Sequence, residues 1–291
     1  MTLQIQKLTP FGAEIAGIDL RLPVGEDLRE QLRSAFLAHG VLLFRGHRLD
    51  KREYVTFMSS FGRLQRHVIA DYRDDDVAEV MLVGQREHNG RRVYSDLGAR
   101  FWHADGSASQ NAISATGLYA FHLPSAGGNT EIADQRAAFA ALPADMKRRI
   151  AGMKAVHDLQ YSFDNTGRHL SEEERAARKL TEGEMRASPP VEQPVVAVHP
   201  ETGREALFVG YAHTSHIVGM PVEAGRQLIH DLVDFATQPR FVYSHQWARG
   251  DVMLWDNRCT LHRGTPYPQG DLRVLWRASC YGEGVRSRAA T

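Results

Sequence analysis

The chain has 291 residues, 43% of them apolar, and its 35 lysines and arginines balance its 35 aspartates and glutamates. Zero net charge removes the usual reason to expect a nucleic-acid or membrane-surface partner, yet leaves room for a local basic pocket that takes a small anion. Two cysteines make no disulfide framework, the first seven residues lack the apolar run of a signal peptide, and no stretch reaches the ~18 apolar residues of a membrane helix, so a cytoplasmic protein is expected.

Residues 14–20 suggest a short strand and a turn. Over 26–39, Leu28, Leu32, Ala35 and Phe36 recur at helical spacing. Val41-Leu42-Leu43-Phe44 is a continuous apolar run ended by Gly46, which reads as a buried strand. Residues 51–61 place Tyr54, Phe57, Met58 and Phe61 on one side of a second helix, with Gly62 as its stop signal. Residues 79–83 form another strand. From Gly98 onward the pattern is rich in strands, expected at 115–123, 131–133, 154–157, 195–199, 206–209, 241–246, 252–255 and 273–281. Pro200-Glu201-Thr202-Gly203 is the turn between two of them. Helices are expected at 135–142, 143–150 and 221–236, the last with Ala224, Leu228, Leu232 and Phe235 in register. Residues 165–190 are charged and show little apolar periodicity; they read either as an exposed helical insert or as a lid over a site. No internal repeat or low-complexity linker divides the chain, so 1–291 is expected to be a single domain. Many short strands with a few peripheral helices indicate a mainly β protein closed into a cupin-like jelly roll.

The chemistry concentrates in His103-Ala104-Asp105 and, far downstream, His262. Two neutral imidazoles and one carboxylate can occupy one face of a six-coordinate iron(II) and leave the opposite positions open. On a strand, residues i and i+2 point to the same side, so His103 and Asp105 can grip one ion. His262 must then come from a distant strand that folds back beside them. Arg273 and Arg277, four apart, share a strand face. A buried arginine needs an anion, and a planar guanidinium forks onto a carboxylate through two parallel hydrogen bonds; an exposed ion pair is the plainer account of each. Asp256 competes as a carboxylate ligand, although its place six residues before His262 suits a turn better. Thr130 follows Gly127-Gly128-Asn129, either an ordinary turn or a close backbone approach to a ligand. His213 and His216 have no third ligand in view and read as structural or pocket-lining.

The run from Gly250 through Trp255-Asp256-Asn257-Arg258 to His262, then Arg273 and Arg277, together with the upstream His103-Ala104-Asp105 and Gly127 to Thr130, resembles the iron(II)- and 2-oxoglutarate-dependent dioxygenases of the taurine dioxygenase and 2,4-dichlorophenoxyacetate dioxygenase family. The likeness runs from Ile15 to Gly282, and residues 102–143 and 199–277 look most like the phenoxyacetate branch. It implies a double-stranded β-helix with Fe(II) on His103, Asp105 and His262 as the catalytic centre. It implies 2-oxoglutarate as co-substrate, its distal carboxylate held by Arg273 and Thr130, and dioxygen as the oxidant. Arg277 would face the acid group of a small anionic substrate, an aryloxyalkanoate whose ether is cleaved to a phenol and an oxo acid. His67 sits six residues after Phe61, an offset at which taurine-cleaving members carry a substrate-binding histidine, although Val68 stands where they have proline. Alkylsulfonate cleavage and hydroxylation of an amino-acid-like metabolite therefore stay open as alternatives. A non-catalytic jelly-roll metal or ligand binder is the rival from a different class, and it has no need of a carboxylate clamp built from Arg273 and Thr130. Outer helices of such barrels often join protomers, which leaves a homo-oligomer open.

Overall fold

The computed structural model describes residues 3–67, 72–84, 94–95, 98–168, 171–172 and 181–288. The strands Val41–Phe44 and Val252–Asp256 are apolar almost throughout because both faces of their sheet are covered. Leu42, Phe44, Val252 and Leu254 turn one way, into a cluster with Leu32, Phe36, Tyr54, Phe57 and Met58 from the helices Glu26–His39 and Lys51–Met58. Val41, Leu43, Met253 and Trp255 turn the other way and meet Ile132 and Tyr243 from a second sheet. Side chains alternate across a strand, so each short run fills two cores at once.

The large sheet has nine strands, in the order Gln4–Lys7, Ala13–Ala16, Val41–Phe44, Val252–Asp256, Ile113–His122, Val274–Tyr281, Met81–Gly84 and Tyr94–Ser95, with Arg63–Leu64 also paired to Val274–Tyr281. Facing it, Val242–His245, Thr130–Asp134 and Thr260–Gly264 form a three-stranded sheet. The outer side of that small sheet, through Ala133 and Leu261, packs on Phe139, Ile150, Leu228 and Leu232 of the helices Gln135–Ala141, Ala144–Ile150 and Val222–Ala236. Two mainly antiparallel layers, the larger with two parallel pairs toward its edges, enclose one apolar interior with helices outside both and make the expected double-stranded β-helix.

Local chemistry sets the boundaries. Asp50 and Glu53 form a reciprocal capping box that starts Lys51–Met58. Gly40 ends Glu26–His39 in the left-handed conformation at φ 74° and returns its N–H to the Phe36 carbonyl, a position that favours glycine. The short strand and turn read at 14–20 are the strand Ala13–Ala16 and the turn that Gly17 makes at φ 83°. One expected helix is shorter than the sequence suggested. The helix read at 51–61 is α-helical only to Met58 and tightens to a 3-10 turn over Ser59–Phe61. Val191–Pro194, Thr214–Ile217 and Thr260–Gly264 are strands that the hydrophobic pattern did not signal, since their buried faces carry polar side chains such as Thr214 and His262. Of the insert at 165–190, residues 169–170 and 173–180 lie outside the described residues. Its beginning belongs to the helix Leu159–Gly167, and Glu182–Ala187 forms another short helix.

Phe57 is fully buried, edge-on to Phe44 at 5.1 Å and to Phe61 at 5.6 Å. Phe57→Ala is expected to cost about 3–5 kcal/mol, the usual range for emptying an aromatic site in a core; urea denaturation measures it, with a loss under about 1 kcal/mol contradicting the packing argument. A second expected result concerns acid. His157 is buried against the Phe208 ring, and burial pushes its pKa from 6.5 down to about 4. Between those values the unfolded chain takes up a proton that the folded chain refuses. Stability is therefore full above pH 6.5 and falls as pH drops toward 4, with a slope of up to ~1.4 kcal/mol per pH unit from this residue. Unfolding free energies at pH 7 and pH 5 should differ less in His157→Gln than in the parent.

Candidate metal centre and its cavity

His103 and His262 lie 159 positions apart in the chain and face each other across a two-way backbone bridge. The His103 N–H donates to the His262 carbonyl at 3.1 Å, and the His262 N–H returns the bond at 2.8 Å. Asp105 follows in a turn. Its Oδ1 lies 3.8 Å from His103 Nε2 and its Oδ2 lies 3.6 Å from His262 Nε2. One donor atom from each of the three residues falls within 4.8 Å of the others. The expected strand carrying both His103 and Asp105 is not formed. Only His103 pairs, and Gly106 at φ 70° bends the chain away directly after Asp105. The convergence comes from the bridge and the turn together.

A layer of hydrogen bonds fixes these side chains. His103 Nδ1 donates to the Phe101 carbonyl at 2.7 Å, which leaves the Nε2 lone pair directed at the trio. Thr116 Oγ1 donates to Asp105 Oδ2 at 2.8 Å, and Asn257 Nδ2 donates to Thr116 Oγ1 at 2.9 Å. Asn257 Oδ1 accepts from the Asp105 backbone N–H at 3.1 Å and from Trp255 Nε1 at 3.1 Å. Asn257, read from sequence as part of a turn, thus braces the carboxylate of the trio from two sides. Nothing in the pattern around Thr116, inside a run of apolar and small residues, marks it as its partner. Asp256 is committed elsewhere: Arg258 and His199 engage both its oxygens, at 2.7 to 3.0 Å. His199, Asp256 and Cys259 also cluster closely enough for an ion, but Asp256 is already saturated by cationic and imidazole donors.

Burial depresses the pKa of both His103 and His262, so both rings are neutral at pH 7. Burial alone would raise Asp105, but Arg277 Nη2, 2.9 Å from Asp105 Oδ1, and the Thr116 hydroxyl hold it far below the usual carboxylate range. Two neutral imidazoles beside one anion form a donor set that suits a divalent cation. Arg277, expected to face a substrate acid group, pairs with this carboxylate and also lines the adjoining cavity.

That cavity gathers the remaining residues singled out in the sequence. Thr130 and Arg273 line it, as do His67 and Arg277. Arg273 is buried and donates from Nε and Nη2 to the Gly128 carbonyl at 3.2 and 3.1 Å. Gly128 at φ 66° brings its backbone against this guanidinium, leaving no space for a side chain. Thr130 opens its strand with its hydroxyl accepting from Trp247 Nε1 at 3.0 Å. His67 presents its carbonyl to Arg73 Nε at 2.6 Å and its ring to Tyr72. His213 also lines the cavity, 5.5 Å from the His103 ring, with burial pushing its pKa down to about 3. His216 bonds Ser215 and is absent from the lining. Val83, Leu118, Leu159 and Phe163 supply an apolar wall that sequence reading did not assemble, because it draws on three separate elements.

Residues 4–279 match the family model described as "Taurine catabolism dioxygenase TauD, TfdA family". The chain belongs to the TauD/TfdA family. Within that family it is 38% identical, over 84% of its length and 83% of the relative's, to an alpha-ketoglutarate-dependent 2,4-dichlorophenoxyacetate dioxygenase from Burkholderia sp. (strain RASC). It is 33% identical to an (S)-phenoxypropionate/alpha-ketoglutarate-dioxygenase from Sphingobium herbicidovorans, covering 96% of this chain and 94% of that one. Among solved structures, AAD-2 in complex with Mn(II) and N-oxalylglycine superposes with a TM-score of 0.79 at 30% identity, covering 98% of this chain and 99% of that one. N-oxalylglycine is 2-oxoglutarate with an amide nitrogen in place of one methylene.

Proposed function

We propose that this TauD/TfdA protein is an iron(II)- and 2-oxoglutarate-dependent dioxygenase that oxidises a small aryloxyalkanoate beside its ether oxygen. The donor chemistry fits the metal: two neutral imidazoles and a carboxylate, Asp105 and His262 buried and His103 nearly so, with His103 oriented by its own hydrogen bond. His103, Asp105 and His262 hold the ion. When bound, iron supplies the activation of dioxygen that no side chain can provide. Arg273 and Thr130 bind the distal carboxylate of 2-oxoglutarate, a role supported by the burial of both and their place in the lining of one cavity. Arg277 holds the carboxylate of the primary substrate, exchanging part of its contact with Asp105 for the incoming anion.

The observation that carries the substrate class is the pairing, in one cavity, of Arg277 with the apolar wall of Val83, Leu118, Leu159 and Phe163. That wall excludes water and orients an aromatic body, while the guanidinium fixes the acid end, so a single C–H is presented to the centre. Oxidative decarboxylation of 2-oxoglutarate gives succinate and carbon dioxide, with one oxygen atom of dioxygen going to each substrate. Hydroxylation beside the ether oxygen leaves a hemiacetal, which collapses to a phenol and an oxo acid. His67 and Gln65 on the same cavity favour the second reading, an alkylsulfonate cleaved by the same logic. Ser188 lines the cavity, as do Leu159 and Phe163 just ahead of the insert, which supports 165–190 as a lid on a single domain. Buried, unpaired Cys259 and Cys280 fit a reducing cytoplasm.

The test is substrate-dependent succinate release, screened with aryloxy acids against alkylsulfonates. Phenol formed one-for-one with succinate is the expected result; turnover of sulfonates alone would overturn the substrate class. Arg277→Ala should lower kcat/KM for the aryloxy acid by about 100-fold or more, as expected for losing a charge-assisted pair, with KM for 2-oxoglutarate within about threefold of the parent. An effect confined to 2-oxoglutarate would reverse the roles of the two arginines.

A further inference from the structure

A hydroxyl has one hydrogen to give and two lone pairs to fill. The Thr130 side chain is buried, and its Oγ1 accepts the indole N–H of Trp247 at 3.0 Å. Indole N–H is a donor only, so this bond fills one of the two lone pairs and leaves the hydroxyl hydrogen to be placed. Among the described residues no protein acceptor takes that hydrogen, while Thr130 faces the cavity it shares with Arg273. A buried donor without a partner is costly, and an anion in the cavity would satisfy it.

Trp247 is itself held firmly. Its ring lies edge-to-face on His245 at 4.5 Å, and it packs against the apolar interior between the sheets. Tyr243 Oη stands 3.2 Å from His245 Nδ1, and His245 Nε2 stands 3.2 Å from Asp251 Oδ2. The same Asp251 oxygen accepts from the Ala248 N–H at 3.0 Å and from Arg45 Nη1 at 2.7 Å. The residue after Trp247 is thereby hydrogen-bonded to a buried carboxylate that also lies beside His245, two residues before it, which restrains the segment carrying the indole.

We propose that Trp247 is a positioning residue for the co-substrate: by donating to Thr130 it turns the threonine hydroxyl into a one-way donor aimed at the distal carboxylate of 2-oxoglutarate. This rests on the reading of Thr130 and Arg273 as the clamp for that carboxylate. Its own content is that Trp247, which does not line the cavity, sets the strength of the clamp through Thr130.

The test is anaerobic titration of the Mn(II)-loaded protein with 2-oxoglutarate by calorimetry, for the parent, Trp247→Phe, Thr130→Val and the double variant. Trp247→Phe keeps the ring and loses the N–H. It is expected to weaken 2-oxoglutarate binding by about 5–20-fold, as for one hydrogen bond lost at a charged acceptor, with Mn(II) affinity unchanged. Steady-state KM for 2-oxoglutarate should rise by the same factor, with a much smaller change in kcat. The double variant should be no worse than Thr130→Val, because both changes break one chain of bonds. Trp247→His, which carries a ring N–H of its own, should recover part of the loss. If Trp247→Phe binds as the parent does while Thr130→Val is impaired, the clamp stands and the role of Trp247 falls. Additive losses would also overturn it, since Trp247 would then act by another route. If Thr130→Val itself binds 2-oxoglutarate normally, the clamp reading fails, and this inference with it. Should Trp247→Phe lose its cooperative melt, Trp247→Leu, which also lacks the N–H, takes its place in the same comparison.

Discussion

Asp105→Ala is expected to abolish turnover, by about 1,000-fold or more, together with measurable Mn(II) binding at micromolar metal. The argument is one of charge as much as of ligand count. Asp105 and Arg277 together contribute no net charge to a pocket whose two histidines are neutral. Removing the carboxylate leaves two imidazoles facing an unpaired guanidinium, so a divalent cation meets net repulsion where it met a donor. Electron paramagnetic resonance of added Mn(II) reports the loss without relying on turnover, and a melting curve establishes that the variant is folded. The same reasoning gives a second sign: Arg277→Ala should bind Mn(II) more tightly than the parent in the absence of substrate, because a competing cation has been taken from Asp105. Mn(II) binding by Asp105→Ala equal to the parent's would remove Asp105 from the donor set.

Arg273→Ala is expected to raise KM for 2-oxoglutarate by about 100-fold or more while Mn(II) affinity stays within about twofold. The guanidinium is buried and already anchored to the Gly128 carbonyl, so it is pre-oriented and loses little freedom when it meets a carboxylate. Arg273→Lys should restore only part of the affinity, because an ammonium cannot reproduce the planar fork. Initial rates against 2-oxoglutarate concentration measure both effects. An unchanged dependence on 2-oxoglutarate would sink the assignment of the clamp and bring the non-catalytic metal binder forward.

Where apolar residues carry the packing, the fold was legible. The helix Glu26–His39 and the strands Val41–Phe44 and Lys154–His157 fall where the sequence put them, since burial on one or both faces leaves a period in the chain. Thr260–Gly264 left no such trace: of its buried side chains, Leu261 packs outward, while His262 points inward to polar neighbours. The trio stood out in the sequence through the family resemblance, since an H-x-D tripeptide is a weak signal alone; that its three side chains cluster is seen only in the folded chain. An H-x-D tripeptide looks like a strand, but Gly106 makes it the start of a turn, and the bridge from His103 to His262 is a contact that no local pattern encodes. The bracing residues were the least legible. Thr116 is chemically unremarkable in its strand, and only the folded chain shows it between Asn257 and Asp105.

The two-way bridge between His103 and His262 uses main-chain atoms alone. The separation of the two histidines is therefore set by backbone pairing, indifferent to which side chains flank them. The apolar wall, in contrast, is assembled from Val83, Leu118, Leu159 and Phe163 on elements that contribute none of the three donors. Frame and wall are separable by mutation. Substrate range can drift by substitution at positions such as 159 and 163 while the chemistry stays in place, and a library confined to the wall is the economical way to retarget this enzyme.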